Sequence, residues 1–180
     1  MQSATRRRLT AAATALALSG AALLVQGGTA AHAATPTCST AYLPLPDPSC
    51  TPGATNPDVT QDTIDSTICV SGWTATVRPS TSYTNALKIK QIAEYGYADT
   101  STADYEEDHF IPLELGGAPK DPLNLWPEPH ADSNGGTSTQ KDTVENKLKK
   151  AVCNGSATLV DAQDAIAADW TTALATLGLS

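Results

Sequence analysis

The sequence predicts an α+β fold. Tyr105 to Leu115 is an extended, partly apolar run, Gly116-Gly117 is a turn signal, and Asn124-Leu125-Trp126-Pro127 opens a second short run. Run, turn and run read as a β-hairpin with a long loop. Helical spacing then takes over from about Gln140 to Val152 and again from near Thr158, which makes the unit strand–strand–helix with a further C-terminal helix.

In chain order, residues 1–33 read as an export signal. Arg6-Arg7-Arg8 provide a charged start, Leu9 to Val25 an Ala/Leu-rich apolar stretch, and Ala31-His32-Ala33 an A-x-A cleavage site. The apolar stretch is diluted by Ala, Ser and Gly, which makes it weak for a membrane span. The mature form is expected to be exported, free of membrane and monomeric. Removing the signal takes three arginines and no acids, leaving eight basic and nineteen acidic side chains, a net charge of −11. Such a balance argues against tight nonspecific nucleic-acid binding, which relies on Lys and Arg neutralising phosphates. It leaves room for a metal site with a local basic patch.

The remaining length, about 147 residues, suits one domain with a real core. Residues 34–65 are rich in Pro, Thr, Asp and Ser with little periodicity, and are expected as an extended arm, with the domain proper over 66–180. Cys38, Cys50, Cys69 and Cys153 all outlast signal removal. An even count in an oxidising compartment favours two disulfides. Three pairings are open to four cysteines, and the sequence does not choose among them. The pairing backed here is Cys69–Cys153, tying the start of the domain to the helix after the hairpin, with Cys38–Cys50 closing the arm. Zinc is the alternative, but no C-x-x-C pair exists.

Thr67-Ile68-Cys69-Val70 and Trp73-Thr74-Ala75-Thr76-Val77 are expected as short strands split by Ser71-Gly72. A helix is expected over Thr84 to Tyr95, stopped by Gly96, with Leu87 and Ile92 inward. Trp73, Tyr95 and Tyr97 are read as core and rim aromatics in preference to a base-stacking platform. Next comes an acidic cluster, Asp104, Glu106, Glu107 and Asp108. Asp104 and Glu106 are read as a solvated edge, whereas Asp108 directly precedes His109. Strand alternation sends Asp108 and His109 to opposite faces unless the strand bends or ends there, as Pro112 suggests.

A carboxylate beside an imidazole, with an Asn across the hairpin, suits metal-assisted hydrolysis. Asp108-His109, Pro112 three residues on, Gly116-Gly117 and Asn124-Leu125 occur in an order and spacing that resembles the HNH endonucleases, over Glu106 to Pro127, about an eighth of the chain. The resemblance implies a ββα-metal core. It implies His109 as general base, Asn124 as the residue orienting it, and Asp108 as a ligand of a divalent cation. Oxygen ligands make magnesium the expected ion, and DNA ahead of RNA the expected substrate. Many members carry a structural zinc on two C-x-x-C pairs, and this chain departs from them.

The third motif is the weakest part of the match. The family usually has His or Asn on the helix. Here Val144, Leu148, Ala151 and Val152 set the buried stripe, Glu145 flanks it and Asn146 points away. Glu145 is therefore the preferred helix ligand, ahead of Asp142, His130 and Asn146, with a surface Lys141–Glu145 pair as the competing reading. His130 is placed in a surface loop. Thr139 and Asp142 resemble a capping box, and Asn154-Gly155 a C-cap. Ala162, Ile166, Trp170, Ala173 and Leu177 are expected on one structural helix, with Trp170 in packing. The function expected is a secreted metal-dependent endonuclease. A non-catalytic binding module on a degenerate HNH scaffold is the alternative, and the negative charge suits it.

Overall fold

The computed structural model describes residues 37–131 and 138–179. The expected signal segment lies outside them. Among the described residues, five α-helices and one hairpin follow in order: α1 (Trp73–Val77), α2 (Thr81–Tyr95), β1 (Tyr105–His109), β2 (Leu125–Pro129), α3 (Ser138–Cys153), α4 (Leu159–Asp169) and α5 (Ala173–Thr176). β1 and β2 pair antiparallel, with Glu106 opposite Glu128, Asp108 opposite Trp126 and His109 opposite Leu125. The fold is thus α+β, built on a two-stranded hairpin followed by a helix.

Residues 66–77 depart from expectation. Thr67 to Val70 form turns and Trp73–Val77 is a short helix entered through Gly72 at φ +81°. β-branched residues lean toward strands only where a partner edge and a packed face exist. Here the Thr67 hydroxyl bonds the Thr63 carbonyl at 2.7 Å and the Thr76 hydroxyl the Trp73 carbonyl at 2.7 Å. Such local bonds suit a turn or helix.

α2 ends where its sequence suggests but starts at Thr81, three residues earlier than expected. Ser80 caps the start by accepting from the Tyr83 N–H, and Gly96 leaves at φ +67°. In α3, Thr139 lies within the helix and its carbonyl accepts from the Thr143 hydroxyl, so it is not the cap. The C-terminal helix divides. Thr158 caps α4 by accepting from Asp161 N–H at 3.1 Å, and the chain then turns at Asp169, whose Oδ1 accepts from both the N–H and the hydroxyl of Thr171. Trp170 is buried and donates its indole N–H to the Pro44 carbonyl at 2.9 Å.

That last bond shows that residues 37–65 are not a detached arm. Val59 and Ile64 join Ile68, Ile111, Leu115, Leu148, Val152, Ile166 and Trp170 in the main core. Tyr95, Phe110 and Trp126 form a second core, with Tyr97 and the Cys38 and Cys50 side chains against it. The aromatics are therefore packing residues. Both disulfides are Cys38–Cys50 and Cys69–Cys153, which suits an oxidising compartment. Among the described residues, no helix is long and apolar enough to cross a membrane.

Candidate active site

β1 ends at His109, and the chain bends through Phe110 and Ile111 into Pro112. Because the strand stops there, Asp108 and His109 line one cleft, together with Arg78, Glu106, Pro112, Asp142 and Glu145. The loop that follows is held in shape from within. Asn124, fully buried, accepts from the Ile111 N–H at 2.9 Å and donates to the carbonyls of Ile111 at 2.9 Å and Ala118 at 3.2 Å. Gly117 makes this closure possible, since a Cβ there would stand 1.7 Å from the Ile111 oxygen.

These bonds correct the role expected of Asn124. Its side chain braces the hairpin loop and makes its described hydrogen bonds to backbone, not to the imidazole. His109 is oriented instead by the Pro119 carbonyl, 3.0 Å from Nε2. A carbonyl only accepts, so Nε2 carries the proton and Nδ1 keeps the lone pair; this tautomer is assigned from the hydrogen bond. Burial lowers the His109 pKa, against the Pro119 bond and the Asp108 charge, which favour the proton. A neutral imidazole with an open Nδ1 is the form a general base requires.

The helix side differs from expectation in one central respect. Lys141 is 1% exposed, and its ammonium donates to Asp108 Oδ2 at 2.7 Å, to the His109 carbonyl at 3.2 Å and to Glu145 Oε1 in a short contact. The Lys141–Glu145 pair is thus buried and joined to the hairpin, not a surface pair. Helix phase is as read: Glu145 is buried, while Asn146 is exposed and bonds the Asp142 carbonyl. Burial disfavours the ammonium, but Asp108, Glu145 and Glu128 outweigh it and hold Lys141 charged. Burial, opposed by Lys141, raises the pKa of Glu145.

The carboxylates nearest Asp108 lie on the hairpin. Ligand atoms of Glu106, Asp108 and Glu128 all fall within 4.8 Å of one another. Glu106 is half-buried, not solvated, and Glu128 is 3% exposed. Burial and then the Asp108 charge push the pKa of both upward, the mark of carboxylates crowded together without enough positive charge. Three oxygen donors in that span fit a hard divalent cation. Glu145, turned to Lys141, stands outside this group. His130 is exposed, with Nδ1 3.4 Å from the Ser138 hydroxyl.

Sequence reasoning missed Glu128 and Arg78 as site residues, and saw Lys141 only as half of a surface pair. Strand pairing puts Glu128 opposite Glu106, so a hairpin register assigned from the sequence identifies it. Arg78 follows α1 and lines the cleft on both sides of Pro112 and Leu113, a position no local pattern reveals. Comparison of the chain with protein-family models, curated proteins and solved structures returned no match.

Proposed function

We propose that the protein is a divalent-cation-dependent phosphodiesterase of the ββα-metal type, acting on nucleic acid. The observation that carries it is the buried His109, with Nε2 tied to the Pro119 carbonyl in the cleft that holds Asp108. In this reading Nδ1 takes a proton from water as the water oxygen bonds to phosphorus and the P–O bond to the leaving sugar oxygen breaks. Asp108, Glu106 and Glu128 would hold the cation, which when bound stabilises charge on the phosphate and leaving oxygen. Arg78, exposed at the rim, is the cation that lines the cleft among the described residues and suits a phosphate oxygen. It gives a chain of net negative charge a local patch for the substrate.

The test is cleavage of plasmid DNA and of RNA by the mature, oxidised protein, with magnesium or manganese and with chelator. Cleavage should require the cation, and His109→Ala should lower the rate by about 10²–10⁴-fold, the usual contribution of a positioned base, with the melting temperature as a folding control. Retained activity in that variant removes His109 from the chemistry.

A second reading, a binding module on the same scaffold, rests on Lys141. Its ammonium already bridges the two carboxylates the sequence nominates as metal ligands. Absence of cleavage with retained nucleic-acid binding would favour it.

A further inference from the structure

Buried behind the cleft carboxylates Asp108 and Glu145 is a positive charge that no motif announces, and its contacts are specific. Lys141 reaches from the first turns of α3 and is enclosed completely. Its ammonium meets one carboxylate of the hairpin, the backbone carbonyl of His109 and one carboxylate of its own helix. A buried ammonium without partners is strongly disfavoured, so three acceptors converging on it define a built cation site. The acceptor atoms are all oxygens, two of them carboxylate, and they come from both halves of the strand–helix unit. That is the donor set and the placement a divalent ion would want between hairpin and helix.

We propose that Lys141 is a tethered cation: its ammonium fills the position between Asp108 and Glu145 that a divalent ion would otherwise take. Lys141 then acts as a positioning residue. It fixes the Asp108 carboxylate and the His109 backbone in relation to α3 and confines an exogenous ion to the hairpin carboxylates Glu106, Asp108 and Glu128. The helix ligand of an ordinary site is thereby replaced by a side chain that brings its own charge. This placement of the ion rests on the metal-site reading above, but the charge replacement itself does not depend on nuclease activity.

The experiment uses the oxidised mature chain, magnesium and manganese as the probes, and Lys141→Met, which keeps length and removes charge. Titration calorimetry should show the Lys141→Met variant binding manganese at least tenfold more tightly than the wild type. Its melting temperature should be lowered in chelator and restored by millimolar cation, because an ion that binds the folded state stabilises it. Lys141→Met with Glu145→Gln should melt higher than the single variant in chelator and lose the tighter manganese binding. If the single variant does not fold without cation, folding on addition of manganese supports the proposal. Unchanged manganese affinity and an unchanged cation-dependent melting shift in Lys141→Met overturn it, leaving Lys141 a structural ion pair. Failure of that variant to fold under every cation condition also overturns it, and so does a double variant that binds manganese more tightly than the wild type. Tight cation binding by Lys141→Met with no cleavage by wild type would instead sink the nuclease reading alone.

Discussion

Replacing Asn124 with Ala tests whether this residue holds the loop or tunes the base. The substitution leaves four backbone groups without their described partner: the N–H groups of Ile111 and Ala54 and the carbonyls of Ile111 and Ala118. Ile111 and Ala118 are both buried, so water does not readily take over. Each unsatisfied buried group costs about 1–3 kcal/mol, and because all four bond one side chain the costs are not additive. The expected loss is about 3–6 kcal/mol, a large part of the 5–15 kcal/mol that typically holds a domain together. Asn124→Asp should be nearly as harmful, since a carboxylate oxygen would face two carbonyls where an amide N–H₂ now donates. Urea unfolding with both disulfides intact measures the loss, and an NMR titration of His109 measures the other possibility. A loss below about 1 kcal/mol with a shifted His109 titration would refute the bracing role and return Asn124 to the imidazole.

Two further outcomes follow from buried charge and chain closure. Burial, reinforced by Asp108, pushes the Glu107 pKa up to about 8, and neither carboxylate oxygen has a hydrogen-bond partner. A raised folded pKa means that its contribution is fully present below about pH 4.5, the unfolded value, and is lost as pH rises through about 8. Glu107→Gln in chelator should therefore melt above wild type at pH 8.5 and level with it at pH 4; an equal gap at both pH values would contradict this. Removing Cys69–Cys153, which spans 84 residues, should cost about 4.5 kcal/mol and removing Cys38–Cys50, which spans 12, about 3 kcal/mol on the loop-entropy relation. Paired Cys→Ser variants unfolded in urea check the order, and a larger loss for the short loop would show that contacts, not closure, dominate.

What local sequence determined is what local physics controls. Asp108-His109, Gly116-Gly117 and Asn124-Leu125 mark a hairpin because a turn, a strand end and an extended run are each written in a few adjacent residues. The body of α2, its Gly96 stop and the phase that buries Glu145 and exposes Asn146 follow from helical spacing for the same reason. The tertiary structure decided matters that depend on what each element meets. Trp73–Val77 has β-rich composition but, among the described residues, no strand to pair with, and so it coils into α1. Lys141 and Glu145, four apart, look like a solvent-exposed pair until the hairpin closes over them and adds Asp108 as a third partner. Asn124 faces its own loop and not His109, because Gly117 lets the backbone come close enough to use every hydrogen bond the amide can make there. Glu128 and Arg78 join the site from distant positions, one by strand register and one by the packing of α1. Burial raises the pKa of Glu106, Glu128 and Glu145 and lowers that of His109, and burial exists only once the chain has folded.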